Sequence, residues 1–244
     1  MMKYFYLLLF LVFSRSTALA QQNWGGGVDD EILHWGFSFQ YITPQFKILK
    51  DPYWRDPYFD EKTNKLVTDP LYSVSSPLSK GMGLGFVTDL RLTDNTNLRF
   101  TPSLSFTDRI LNYTYENSPS GDRQKIVPAT MADFPLGIKL KSDRRNNFRA
   151  YLLGGVKYSV DITSPKKNDD SGNIATEKLV KNKRGILTYE TGIGLDLYFE
   201  WFKMSPEIKI SNSFRSILKQ ENNAYTSPID KLFLHSVQFS LYFE

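Results

Sequence analysis

Residues 80–106, KGMGLGFVTDLRLTDNTNLRFTPSLSF, constrain the fold more than any other stretch, because two alternating segments and the turn between them share one window. Met82, Leu84, Phe86, Leu90 and Leu92 occupy one parity; Gly83, Gly85, Asp89 and Arg91 occupy the other. After TDNTN the pattern repeats, with Leu98, Phe100, Pro102, Leu104 and Phe106 against Arg99, Thr101, Ser103, Ser105 and Thr107. A period of two is that of a β-strand with chemically different faces. Soluble sandwiches alternate too, so the contents of the faces decide. The apolar parity stays bulky over about ten residues, the span of a tilted membrane strand. The other carries glycines, hydroxyls and charges. On a water-exposed sheet the glycines would only weaken the strand; inside a narrow barrel they make room for long charged side chains opposite. The apolar side is therefore read as lipid-facing.

The chain opens with Lys3, an apolar run from Tyr4 to Phe13 and the small-residue pattern Ala18-Leu19-Ala20 before Gln21, the three regions of a Sec-type signal peptide in order. Cleavage is expected near Ala20, leaving 21–244 as a single barrel domain bound for the outer membrane. The run is too short for a membrane helix, and no Cys follows it to take a lipid anchor. No other stretch approaches 18 consecutive apolar residues, which argues against a helical inner-membrane protein. With no Cys in the chain, disulfides and thiolate metal sites are excluded. The formal charge of +4 includes Lys3 and Arg15, which leave with the signal, so too little remains to argue for nucleic acid. Aromatics make up 15% of the chain, many at strand ends where a membrane barrel places its girdles. The mean hydropathy of −0.35 suits a barrel, in which only every second strand residue is apolar.

Eight alternating segments emerge in order: His34 to Thr43, Met82 to Leu92, Leu98 to Phe106, Met131 to Leu140, Phe148 to Val160, Leu187 to Phe199, Phe202 to Ile210 and Phe233 to Phe243. The connections run long, short, long, short, long, short, long. That is the signature of a closed antiparallel transmembrane barrel with surface loops at one rim and periplasmic turns at the other. The connection from Asp51 to Ser79 is rich in Asp-Pro pairs and leaves room for a short hairpin. Residues 164–185, highly charged and aperiodic, are expected to form a long mobile loop. Glu200 and Trp201 are expected to make a two-residue turn that keeps Phe199 and Phe202 on one face. Pro102, Pro135 and Pro206 fall inside strands, where bulges or broken pairing are expected.

Several segments resemble the PorT family of outer-membrane β-barrel proteins: LRFTPSLSF (Leu98 to Phe106), FPLGIKLKS (Phe134 to Ser142), NNFRAYLLGGVKY (Asn146 to Tyr158), YETGIGLDLYF (Tyr189 to Phe199), SPEIKIS (Ser205 to Ser211) and SPIDKL (Ser227 to Leu232). The similarity covers most of the mature chain in the same order. It implies a role in the type IX secretion system of the Bacteroidetes type, linked in some members to gliding motility. The implied partners are other secretion-system components together with outer-membrane lipid and lipopolysaccharide. The resemblance brings no catalytic residues with it.

The inward parity carries Asp89, Arg91, Arg99, Lys139, Arg149, Lys157, Glu190, Asp196, Lys203, Glu207 and Lys209. Two readings stand: a conduction or binding pathway, or a mutually paired core filling a narrow barrel. The interior of an eight-stranded barrel, only just wide enough for side chains, favours the second. An enzyme is not expected. The only histidines, His34 and His235, fall near opposite ends of the barrel, and His235 lies on the lipid parity, a poor position for a hydrolytic pairing with Ser213 or Asp230. No phosphate loop, HExxH or EF-hand spacing occurs, so no catalytic, cofactor-binding or metal residue is assigned, and neither a cofactor nor a small-molecule substrate is expected. The basic clusters at Lys166-Lys167 and Lys178 to Arg184 are interrupted by Asp169, Asp170 and Glu177, which fits a solvated surface loop better than a nucleic-acid site.

Overall fold

The computed structural model describes residues 29, 31–60, 64–116, 122–163, 174 and 177–244; the signal peptide and most of the 164–185 segment lie outside them. Twelve strands are present among the described residues: β1 (Leu33–Lys50), β2 (Phe59–Asp60), β3 (Lys65–Leu66), β4 (Leu71–Ser75), β5 (Gly81–Thr93), β6 (Thr96–Phe100), β7 (Ser103–Tyr115), β8 (Arg123–Lys141), β9 (Phe148–Asp161), β10 (Gly185–Tyr198), β11 (Lys203–Ser213) and β12 (Ile229–Phe243). β6 and β7 are two halves of one stave, broken at Thr101 and Pro102. With them counted together, eight antiparallel strands close into a ring in which β1 pairs with β12 on one side and β5 on the other.

The turns at 94–95, 142–147 and 199–202 share one end of the ring. In the last, Phe199 N donates to Phe202 O at 2.9 Å and the two rings stack at 4.8 Å, the one-face arrangement that a two-residue turn requires. The long first connection does contain a hairpin, β2 with β3, followed by β4 laid against the far end of β7. The prolines interrupt the ladder without shifting it. Pairing between Phe100↔Leu136 and Ser103↔Asp133 lapses beside Pro102 and Pro135, and pairing between Gly194↔Glu207 and Leu197↔Met204 lapses beside Pro206.

Over the half of the barrel nearest the short turns, the exterior is apolar and the interior polar. In β1 the exposed residues are Trp35, Phe37, Phe39 and Tyr41, while His34, Ser38 and Gln40 are buried. The same division holds for Leu104 and Phe106 against Ser103 and Ser105 in β7, and for Ile208 and Ile210 against Glu207 and Lys209 in β11. An exterior of this kind is stable only against hydrocarbon.

Farther along, the faces exchange chemistry. The outward positions of β1 become Thr43, Gln45 and Lys47, and its inward positions become Ile42 and Phe46. In β7 the switch falls between Thr107 and Leu111, with Asp108 and Asn112 outward and Leu111, Tyr113 and Tyr115 inward. Beyond the lipid belt the strands thus continue into water as an ordinary apolar-in, polar-out fold. Its core gathers Phe46, Leu71, Val74, Leu111, Ile217, Leu218, Tyr225 and Leu232 from strands and long connections alike.

This cap corrects two sequence expectations. The 164–185 segment, expected to be a mobile loop throughout, is anchored in its described part: Val180 is buried in the cap core, Lys183 N donates to Ile217 O at 2.7 Å, and Lys219 N donates to Lys181 O at 2.9 Å. The single apolar side chain and the backbone pairing outweigh the surrounding charge. Second, one parity does not face lipid along whole strands, because strands longer than the membrane change solvent partway along.

Candidate functional site: the barrel lumen

The inward charges meet in one continuous network. Arg99 forms paired bonds to Asp89, at 2.8 Å from Nε and 2.7 Å from Nη2, and also reaches Glu207 at 3.3 Å and Glu244 at 3.1 Å. Lys139 holds Asp196 at 2.7 Å, Lys203 holds Glu244 at 2.6 Å, and Lys157 holds Glu190 at 3.0 Å. Lys209 bridges Glu190 at 3.5 Å and Glu207 at 3.3 Å. Hydroxyls engage several of the carboxylates further: Tyr151 and Tyr242 donate to Glu207 at 2.9 and 3.1 Å, and Ser205 donates to Asp196 Oδ1 at 2.6 Å. Buried charges persist only when paired and hydrogen-bonded in this way.

Two glycines make the packing possible. At Gly36 a Cβ would overlap the Phe243 carbonyl, so only glycine lets the last residues of the chain lie against β1 and turn the Glu244 carboxylate inward. At Gly194 a Cβ would overlap the Tyr151 ring, which lies over that glycine from β9 to reach Glu207 on β11. Beside Arg99, Glu190 and Lys209 the residual cavity is about 10 Å³, no larger than one water needs. Above it Asp133 accepts Ser105 Oγ at 2.7 Å and the Ser159 hydroxyl, and Arg109, 3% exposed, closes the polar stack beneath the apolar cap.

Of the residues assigned to the interior by parity, most are deeply buried and paired; Arg91 and Arg149 lie at the short-turn rim, half-buried. Parity also reaches Arg109 and Lys141, which the sequence reading left out. Parity extends to Glu244 as well, one residue beyond outward-facing Phe243, and Gly36 leaves the room that the chain end needs there. The histidines are far apart in role: His34 is buried in the lumen, whereas His235 faces outward and shares the Asn212 amide oxygen, at 2.8 Å, with Lys47 at 3.2 Å. Ser213 faces the opposite side, bonded to Leu234 N at 2.9 Å, so the two do not form a hydrolytic pair.

No protein-family model matches the chain, and no curated protein matches it. Similar solved structures include the outer membrane protein OprG from Pseudomonas aeruginosa, 11% identical over 92% of this chain and 97% of that one, with a TM-score of 0.44. Neisserial surface protein A is 10% identical over 87% and 98%, with a TM-score of 0.37. Ail of Yersinia pestis, solved with a heparin analogue, is 10% identical over 86% and 96%, with a TM-score of 0.35. The closed ring, the apolar belt and the polar interior, rather than these distant likenesses, define the class: an eight-stranded transmembrane β-barrel of the outer-membrane type.

Proposed function

We propose that this barrel is a PorT-like component of the type IX secretion machinery, exported through the Sec pathway, that assists protein export from the outer membrane without being the conduit. The observation that carries the second half is the filled lumen, in which Arg99 on β6 reaches across the bore to Glu207 on β11 while the ion pairs of Lys139, Lys203 and Lys209 pack around them. A folded cargo needs an opening tens of ångströms wide, whereas eight strands enclose space that side chains fill. Widening the ring would break a strand ladder where lipid offers no replacement hydrogen bonds. The secretion assignment itself rests on the ordered segments from Leu98 to Leu232 that resemble the PorT family. In this reading the short turns face the periplasm and the cap faces the cell exterior, where it meets lipopolysaccharide and other machinery components.

A deletion strain assayed for export of cargo bearing the type IX C-terminal signal tests the role. Export should fail without the barrel and return with it. Tags placed in 164–185 should be reachable on intact cells, and tags in 142–147 should not.

A structural or adhesive barrel is the second reading, favoured by one observation. The outer tip holds a cavity of about 480 Å³ lined by Tyr53, Trp54, Tyr58, Asp56 and Asn222, a mixture of rings and polar groups suited to an extracellular ligand. Unimpaired export in the deletion strain would favour it.

A further inference from the structure

At the short-turn mouth of the lumen the polar groups do not pair off as they do deeper in. Lys141, at the end of β8, is 7% exposed and has no ion-pair partner among the described residues. Arg149 leaves its Nε without an acceptor. His34, 4% exposed, has both ring nitrogens unpartnered. Lys141 on β8 and Arg149 on β9 face one carboxylate, that of Asp29, while His34 on β1 lies between it and the Lys203–Glu244 pair.

Asp29 does not satisfy them. Its Oδ2 stands 3.8 Å from Arg149 Nη1 and 3.9 Å from Arg144 Nη1, beyond hydrogen-bonding reach. Its main-chain oxygen is the firmly held atom, accepting from Arg91 Nη1 at 2.6 Å. Asp143, in the adjacent turn, is engaged by Asn95 Nδ2 at 3.1 Å. Deeper in, Lys139 meets Asp196 at 2.7 Å, and at the short-turn end itself Lys203 is already held by Glu244 at 2.6 Å, which leaves Lys141 and Arg149 as the cations without a close carboxylate.

We propose that this mouth is a receptor for an acidic polypeptide segment presented from the periplasm, with Asp29 as its resident and displaceable occupant. Asp29 is itself a carboxylate borne on a main chain that is anchored there through its carbonyl, so the mouth accommodates a peptide. A lipid phosphate is disfavoured by position: the outward faces at this end are Trp35, Phe37 and Phe202, and the cations lie inside the ring they form. The proposal extends the secretion reading but does not depend on it, because binding is measured on the purified barrel.

The test uses the full-length barrel in detergent micelles and a fluorescein-labelled peptide of alternating Asp and Gly, followed by anisotropy at low salt. Asp29→Asn should bind the peptide about fivefold more tightly than the parent, the scale of releasing one exposed ion-pair competitor. In that background Lys141→Gln with Arg149→Gln should return binding to the parent level or below. Arg149→Lys should keep the gain, and a Lys-Gly peptide should not bind. Heat-modifiable migration on a gel confirms that each variant is a closed barrel. The proposal is overturned if Asp29→Asn binds no more tightly, or if the neutralised double variant retains the gain. It is also overturned if sodium phosphate at matched charge displaces the peptide with equal affinity, which would make the mouth a small-anion site.

Discussion

Arg99 and Asp89 stand directly opposite one another on β6 and β5, joined by two parallel hydrogen bonds, with side chains only 1% and 0% exposed. A guanidinium fits a carboxylate in this paired way as an ammonium cannot. Because Arg99 also faces Glu207 and Glu244, it is the cation around which three carboxylates are grouped.

Removing Arg99 should therefore destabilise more than the pair itself is worth. Arg99→Met leaves buried carboxylates uncompensated and should cost about 3–5 kcal/mol, read as a lower urea midpoint for unfolding in micelles. Arg99→Lys keeps the charge but loses the paired geometry, and should fall between the two. A midpoint for Arg99→Met equal to the parent's would mean that the network contributes nothing net.

Leu104 and Ser103 are neighbours in sequence that face different solvents, at 45% and 9% exposure. Leu104→Arg places a charge in the hydrocarbon belt and should cost about 2–4 kcal/mol if it lies near the midplane, reducing the folded fraction during refolding into vesicles. Ser103→Ala, inside the lumen, should refold like the parent. Equal refolding of both would put the lipid face on the wrong parity.

The cap rests on Leu232, fully buried, and on Tyr113, whose hydroxyl donates to Tyr225 O at 2.8 Å. Leu232→Ala should loosen it by about 2–5 kcal/mol. Protease added outside intact cells should then cut the long connections while the barrel still migrates as a closed form. Burial raises the Tyr225 phenol above its ordinary range. A phenol raised in the folded state contributes stability that is present below its unfolded pKa near 10 and is lost as pH rises through the folded value. Cap protection should hold at neutral pH and fall above about pH 10, followed by tyrosinate absorbance; a midpoint below pH 9 would contradict the assigned burial.

The ring itself was legible because a period of two with bulky residues on one side is hard to satisfy otherwise, as the agreement over Phe148 to Val160 illustrates. The cap was not legible. Leu111 and Leu232 lie where β7 and β12 run past the apolar belt and Val180 lies in a charged connection, and their burial depends on strands overshooting the membrane and on contacts distant in sequence. Phe46 shows the difficulty well. On β1 it has the parity of Ser38 and Gln40 and faces inward as they do, yet it packs in a hydrophobic core, because the strand has changed solvent between them. The mouth around Asp29 was hidden for a related reason: parity assigns a side chain to a face but does not count its partners.

The last prediction separates the two layers that block the bore. The cap closes the outer end with apolar side chains, and the charge network fills the belt below it, so opening either one alone leaves the other in place. In planar bilayers the purified protein should show no stable conductance. Leu232→Ala should leave it silent, because Arg99 still reaches across the lumen to Glu207, with Lys139 and Lys209 packed beside them. Arg99→Ala should lower stability yet also stay silent, since the Lys203–Glu244 and Lys157–Glu190 pairs still fill the bore along its wall and the cap still closes its outer end. Only combining cap loosening with truncation of Arg99, Glu207 and Lys209 should produce small, ion-sized steps, still far below the width of a folded cargo. Large, steady steps from the unmodified protein, or cargo crosslinked to Ser105 inside the lumen, would show that the bore opens and that the assisting role is mistaken.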